Sequence, residues 1–142
     1  MDSRNDGTVH LVRLDRGEKI MESLVGYLRR AEIESGFLTG IGATSACEIG
    51  YFDLNTKEYL TKRIEENCEL VGLIGNIARV EGEPIIHAHI TLGFPDYHLE
   101  GGHLLEGTIS VTGEFWIHRA GFPVRRSLDR LTGLKLIDFG TS

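Results

Sequence analysis

The chain has 142 residues, of which 41% are hydrophobic and 25% charged. This predicts one globular domain over residues 1–142 and excludes an intrinsically disordered protein. Fifteen basic and twenty-one acidic residues give a net charge of −6, which disfavours a protein that binds nucleic acid mainly through its phosphates. No segment approaches the about 20 apolar residues of a membrane span. Residues 1–7 lack the apolar core of a signal peptide, so a cytoplasmic protein is expected.

The order of the predicted elements is typical of an α+β domain. A helix is predicted over Glu18–Glu32, because apolar residues recur there every three or four positions and arginines suit its C-terminal end. A single helix among neighbouring strands predicts a mostly antiparallel β-sheet with one main α-helix packed on it. The strands are predicted over Thr8–Leu14, Phe37–Ala43, Cys47–Asp53, Glu58–Ile64, Glu69–Ile74, Ile85–Leu92, Gly107–His118 and Gly133–Phe139.

The segment Gly107–His118 alternates strictly between apolar and polar residues, which predicts a strand with one face on the core. Trp116 lies on the polar face. A large aromatic residue there fits a subunit interface, or it covers a loop or the rim of the sheet. The predicted core face carries Ile109, Val111, Phe115 and Ile117.

Several kinds of chemistry lack their motifs in this chain. There is no nucleophile elbow, phosphate-binding loop or dinucleotide fingerprint. Cys47 and Cys68 form no CxxC pair, so we expect two reduced, buried thiols that pack as small hydrophobes. The basic cluster of Arg125, Arg126 and Arg130 is too short to indicate nucleic-acid binding by itself.

The strand Ile85–Leu92 carries the first part of a candidate metal site. Because side chains alternate across a strand, His87 and His89 share one face, about 6.5 Å apart along the strand. A zinc-bound imidazole nitrogen lies about 2.0 Å from the metal, so both rings can lean toward one ion. The opposite face is wholly apolar and must meet the core: Ile86, Ala88, Ile90 and Leu92.

A third ligand is expected from His103. It follows Gly101 and Gly102, which let the backbone approach closely, and it opens the next predicted strand. Antiparallel pairing of the two strands would bring His103 beside the other two histidines. Three neutral imidazoles leave the fourth position of a zinc ion open, as catalytic and ligand-binding sites do.

Other interpretations of these histidines are open. An HxH pair is common by chance and often only faces water. Asp96 and His98 lie in the intervening loop and could replace His103 as a ligand. The cupin pattern is disfavoured because Leu92 and Gly93 stand where a cupin has its glutamate. The two remaining histidines, His10 and His118, are expected at the surface or as capping residues.

The order of several short motifs resembles the plants and prokaryotes conserved domain, abbreviated PPC. The resemblance covers roughly residues 8–139, and no single piece is diagnostic. The matching stretches are RLDRGE at 13–18, GFLTGIGA at 36–43, ELVGLIGNIA at 69–78, PIIHAH at 84–89 and GGHL at 101–104.

The resemblance implies an α+β fold with an antiparallel sheet and one main helix, assembled as a trimer. It also implies that histidines matching His87, His89 and His103 hold a metal, as in single-domain prokaryotic members. Plant members follow AT-hook motifs and help to assemble nuclear DNA-binding proteins. This chain has no R-G-R-P hook, which, with its acidic charge, disfavours direct DNA binding.

Three hypotheses follow for the function. The first is a homotrimeric, zinc-binding protein with a small-ligand or catalytic pocket at or near the subunit interface, with Gly101 and Gly102 as its pocket residues. If it is catalytic, metal-activated water is the expected chemistry, with Glu100 or Asp96 as a candidate general base. The second is a DNA-associated scaffolding protein without catalysis. The third is a trimer whose histidines are inert. The sequence names neither a substrate nor a reaction.

Overall fold

The computed structural model describes residues 1–140, which form a nine-stranded β-sheet and one α-helix. The chain is therefore mostly β-structure, with the helix inserted after the second strand. In chain order the elements are β1 (Asp2–Asn5), β2 (Val9–Asp15), α1 (Ile20–Arg30), β3 (Gly36–Asp53), β4 (Glu58–Ile64), β5 (Cys68–Val80), β6 (Glu83–Gly93), β7 (Leu99–Arg119), β8 (Arg125–Leu128) and β9 (Lys135–Asp138).

The sheet closes on itself at its centre. Strands β1, β2, β7, β3, β5, β8 and β9 are neighbours in that order, and β4 pairs with β3. Both β3 and β6 pair with β5 and with β7, so these four strands form a closed circuit. Within residues 1–140 the pairings are antiparallel except for a short parallel one between β5 and β8. The sheet is thus mixed rather than purely antiparallel.

Several predicted strands are parts of longer ones. The predictions over Phe37–Ala43 and Cys47–Asp53 fall on a single strand, β3, whose pairing with β7 shifts register three times. The strand predicted over Gly107–His118 is the later part of β7, which begins eight residues earlier. Each register shift is a bulge that bends a long strand. Strands β1 and β8 were not predicted.

The helix is two residues shorter at each end than the predicted Glu18–Glu32. Lys19, at its N-cap, makes no side-chain capping hydrogen bond. Instead, the carboxylate of Glu106 on β7 accepts hydrogen bonds from the backbone N–H groups of Met21 (2.8 Å) and Glu22 (3.2 Å). A carboxylate at this end of a helix satisfies unpaired donors and favours the helix dipole, so Glu106 ties the helix to the sheet.

The core lies between the helix and one face of the sheet. The apolar face of β6 is buried, as the alternation predicted. Val111, which was predicted to face the core, is exposed instead. The reason is a bulge in β7. Gly42 pairs with Gly113 and Thr44 pairs with Ile109, so three residues of β7, 110–112, lie opposite a single residue of β3. The bulge interrupts the alternation of side chains along β7. The core side chains include Leu14, Ile20, Leu24, Leu28, Leu38, Phe115 and Ile117.

Both cysteines are free and buried, as predicted. Burial raises the pKa of the Cys47 thiol to about 12, so this thiol stays protonated and packs as a hydrophobe. The described part of the chain has no helix with the length and apolarity that crossing a membrane requires.

Candidate metal centre

Strand pairing brings three histidines together on one face of the sheet, within one chain. His87 and His89 point away from the buried face of β6, and His89 pairs directly with His103 on β7. The sequence placed His103 at the start of a strand, whereas it lies five residues into β7. The predicted antiparallel neighbourhood is confirmed. We call His87, His89 and His103 the three-histidine cluster.

The geometry of the cluster suits a single metal ion. One ring nitrogen from each histidine lies within 4.8 Å of the others. The ring centroids are 5.3 Å apart between His87 and His89, 5.1 Å between His87 and His103, and 5.7 Å between His89 and His103. An ion that takes three nitrogens at about 2.0–2.1 Å holds those nitrogens roughly 3.4 Å apart, so small movements of the rings would complete the site.

Burial keeps much of this cluster uncharged. Desolvation, followed by the nearby Arg126 guanidinium and the other two rings, lowers the pKa of His87 to about 4. Desolvation, followed by His89 and Arg126, also lowers the pKa of His103. A metal ligand must offer a lone pair rather than a proton. The neutral form that a metal ligand needs is therefore the favoured form of these two imidazoles at neutral pH.

One buried nitrogen of the cluster has no hydrogen-bond partner. The Nδ1 atom of His103 is inaccessible to solvent, and none of residues 1–140 provides it with a donor or an acceptor. Buried polar atoms are nearly always satisfied. A ligand set of neutral imidazoles suits zinc, nickel, copper or iron better than calcium or magnesium. The residues present therefore fit a transition metal.

An aromatic ring forms one wall of the site. The ring of Tyr59, on β4, lies 5.0 Å from the ring of His103 and 5.1 Å from that of Phe52. It crosses over Gly50, which pairs with His103 in the sheet. A Cβ atom at position 50 would come within 2.9 Å of this ring. The glycine therefore allows Tyr59 to pack against the cluster.

The two glycines before His103 serve the close approach of strands. A Cβ atom at Gly101 would lie 2.6 Å from the carbonyl oxygen of Ile90 on β6. At Gly102 it would lie 2.9 Å from the carbonyl oxygen of Gly50 on β3. This confirms that the glycines let the backbones come close. Their assignment to a ligand pocket stays a prediction.

Sequence reasoning missed Arg126 as a residue of this site. Its Nη2 atom donates a hydrogen bond to Nδ1 of His87 at 2.9 Å, and its Nη1 atom donates to the carbonyl oxygen of Lys135 at 2.8 Å. Burial lowers the pKa of its guanidinium from the ordinary value. The basic cluster was noted in the sequence, but it was considered only for nucleic-acid binding.

The acidic residues proposed for this site lie elsewhere. Asp96 pairs with His98 in the loop between β6 and β7, and Glu100 pairs with Lys62 at 2.5 Å. Glu100 pairs in the sheet with Leu92, whose side chain is on the face opposite the cluster. The structure thus does not bring Asp96, His98 or Glu100 to the three histidines. Neither carboxylate is in place to act there as a base.

The remaining histidines are not part of the cluster. His10 is buried, contrary to the expectation of a surface position, and its Nδ1 atom lies 2.9 Å from the hydroxyl of Tyr27. Its alternation with the core residues Val12 and Leu14 was the sequence signal for this burial. His118 is half-buried and stacks on Phe37.

A separate concave surface lies away from the cluster. It is a groove of about 770 Å³ whose lining includes Arg16, Val71, Phe94, Tyr97 and Val111. None of the three clustered histidines lines it. Among residues 1–140, only the three histidines form a group of side chains close enough together to hold a metal ion, so this groove is not a second candidate metal site.

Comparison with known proteins agrees with this fold. None of the curated proteins matches the chain. The model of the plants and prokaryotes conserved domain matches residues 1–120. Among solved structures, the plant- and prokaryote-conserved protein of Pyrococcus horikoshii is 30% identical, with a TM-score of 0.86 over 99% of this chain and 96% of that chain.

Two further solved structures are similar. The metal-containing protein of Archaeoglobus fulgidus is 31% identical, with a TM-score of 0.84 over 91% of each chain. A protein of Bacteroides thetaiotaomicron that is provisionally named as DNA-binding is 30% identical, with a TM-score of 0.94 over 97% of this chain and 96% of that chain. On the evidence of the family model and these structures, the chain belongs to the plants and prokaryotes conserved domain family.

Proposed function

We propose that this chain is a metal-binding protein in which His87, His89 and His103 hold one transition-metal ion, with zinc as the first candidate. The observation that carries the proposal is the convergence of three imidazole nitrogens within 4.8 Å. One of these rings has a buried nitrogen to which residues 1–140 offer no hydrogen-bond partner. A similar protein of Archaeoglobus fulgidus is described as metal-containing. The function proposed is binding, and no reaction is assigned.

The open coordination position suits a small ligand. Three neutral protein ligands leave a fourth position for water or another donor. A bound zinc ion would supply Lewis acidity and would lower the pKa of a water molecule in that position. His87 and His103 would hold the metal through uncharged rings, and Tyr59 would shield one side of the site. Gly101 and Gly102 would keep the strands close enough to position His103.

The proposed assembly is a homotrimer in the cytoplasm. It is supported by an apolar surface on the same face of the sheet as the cluster. Trp116, Thr39, Ile74 and His89 lie in one cross-strand row, and the Ile74 side chain is 72% exposed. Exposed apolar side chains such as Trp116 and Ile74, on either side of Thr39, favour contact with another protein surface. Sedimentation equilibrium should give three times the chain mass, and a monomer would contradict the assembly.

The metal proposal is tested by measuring bound metals in protein purified without an affinity tag. After zinc loading and removal of free metal, inductively coupled plasma mass spectrometry should find about one zinc per chain. The His87→Ala variant should retain less than about a tenth of that amount. Wild-type protein that stays as empty as the variant would overturn the proposal.

DNA association is the second candidate. It is supported by the provisional naming of the similar Bacteroides thetaiotaomicron protein and opposed by the net charge of −6. The test is titration of AT-rich duplex DNA at low and moderate salt. Binding driven by phosphates must weaken steeply as salt rises, and the absence of binding at low salt would remove this candidate.

A further inference from the structure

Arg126 is a partly buried cation to which residues 1–140 supply no acidic partner. Its hydrogen bonds go to two neutral acceptors, the carbonyl oxygen of Lys135 and Nδ1 of His87. Its Nε atom is buried and has no partner among the described residues. By contrast, Arg13, Arg29, Arg63 and Arg79 each pair with a carboxylate.

Such a charge is costly to leave uncompensated. Buried charges in proteins are normally paired, because the desolvation penalty is otherwise not offset. The groups beside Arg126 are the imidazoles of His87 and His103 and the phenol of Tyr59, and none of them is a carboxylate. A divalent metal held by neutral rings would add to the excess of positive charge. The charge of the site would therefore favour an anion.

We propose that the metal centre binds a small oxyanion, a carboxylate or phosphate, with one oxygen in the open metal position and another on the guanidinium of Arg126. The inference rests on the proposed metal-binding function. Arginine offers a planar set of N–H donors that matches both kinds of anion. The available donors are Nε, which has no partner in the described part of the chain, and the remaining N–H bonds of the two terminal nitrogens.

The hydrogen bond to His87 couples metal loading to anion binding. Arginine can only donate, so Nδ1 of His87 accepts, and the proton of the neutral ring is on Nε2. To hold a metal through Nδ1, His87 would have to give up the hydrogen bond from Arg126. To hold it through Nε2, the ring proton would have to be on Nδ1, which could then no longer accept from Arg126. In either case a guanidinium N–H of Arg126 would lose its partner on His87 and would be available to an anion.

The test uses the full chain loaded with Co²⁺, whose visible absorption reports changes in its ligands. Acetate and inorganic phosphate are titrated separately into wild type, Arg126→Gln and the matched control Arg125→Gln. Arg125 is exposed on the same strand. Wild type and Arg125→Gln should bind at least one of the two anions with the same affinity. Arg126→Gln should bind it about 10- to 100-fold more weakly, as loss of a charge-assisted hydrogen bond implies.

Each outcome decides between the two proposals. Failure of wild type to bind Co²⁺ or zinc overturns both the metal site and the anion site. Metal binding without any spectral response to either anion, or equal affinities in Arg126→Gln and wild type, overturns the anion site alone. The anion that binds more tightly identifies the ligand as carboxylate-like or phosphate-like. If Arg126→Gln does not fold, Arg126→Lys takes its place in the test. Its anion affinity should fall by less than the about 10- to 100-fold expected for glutamine, and the anion affinity of the control Arg125→Lys should equal that of wild type.

Discussion

His98 and the three-histidine cluster have opposite surroundings. His98 lies in an exposed loop, where one ring nitrogen contacts the carboxylate of Asp96 and the other lies 3.7 Å from Glu100. The three-histidine cluster lies on the sheet, partly buried, and its charged neighbour is the cation Arg126. One imidazole thus has acidic partners, whereas the others have each other and an arginine.

The difference separates an imidazole that is engaged by carboxylates from imidazoles that face one another. Both ring nitrogens of His98 lie near acidic side chains, whereas one nitrogen from each cluster histidine faces a shared space. Burial and a neighbouring guanidinium favour the neutral form, as the lowered pKa values of His87 and His103 show. Spacing alone could not separate His98 from His103 as a ligand, but their surroundings do.

The largest expected effect is loss of metal binding on removal of a cluster histidine. His103→Ala should weaken zinc binding by more than about 100-fold, because loss of a supporting outer residue already costs 10- to 100-fold. The matched variant His98→Ala should bind zinc like wild type. Isothermal titration of metal-free protein measures both. Equal affinities for wild type and His103→Ala would place the metal outside the cluster.

The second effect is on the pH dependence of stability without metal. His87 has a pKa of about 4 when folded, against 6.5 for an unperturbed ring. Between these values the unfolded state binds a proton that the folded state does not, so stability falls as pH falls from 6.5 toward 4. The loss due to His87 should be on the order of 2 kcal/mol after allowance for solvent screening.

Urea unfolding in the presence of a chelator measures this loss. His87→Gln should flatten the pH dependence between 6.5 and 4, while His98→Gln should preserve it. The two neutral glutamines make the variants comparable. A wild-type slope that survives unchanged in His87→Gln would show that the ring of His87 does not resist protonation in the folded chain.

The third prediction concerns the close approach of β6 and β7 at Gly101, which we expect to position His103. Gly101→Ala should reduce stability by about 1–3 kcal/mol, because its Cβ atom would meet the carbonyl oxygen of Ile90 at 2.6 Å. It should also weaken zinc binding, since His103 lies two residues away. Gly72→Ala on β5 is the control, because nothing lies within 4 Å of its Cβ position. Zinc affinity that is unchanged in Gly101→Ala would contradict this role.

The smallest effect is expected at the two carboxylates that lie near His98. Asp96→Asn and Glu100→Gln should leave the zinc content of the protein unchanged, because both carboxylates lie away from the cluster and are paired with His98 or Lys62. Metal analysis of the two variants beside His103→Ala measures this. A loss of zinc in either variant would return these acids to the metal site.

The sequence predicted the cluster because its causes are local. Alternation along β6 fixes the face of His87 and His89, and the apolar opposite face fixes which side meets the core. The glycines before His103 indicate a close strand pair. These inferences need only the period of a strand and the size of a glycine. Alternation along β2 could equally have indicated the burial of His10.

Arg126 could not be found in this way, because its contact depends on long-range topology. It lies 39 residues after His87 on a four-residue strand, and that strand reaches the sheet through a short parallel pairing with β5. No local pattern indicates such a pairing. The exposure of Val111 has a similar origin, because the bulge that interrupts the alternation is set by the partner strand β3.

The central claim is that three imidazoles of one chain bind one metal ion. Diffraction at the zinc absorption edge from crystals of the untagged, zinc-loaded protein tests it most directly. The account predicts one anomalous peak at about 2.0–2.1 Å from a nitrogen of each of His87, His89 and His103. An empty space between these rings, or a zinc peak only at His98 and its carboxylates, would contradict it.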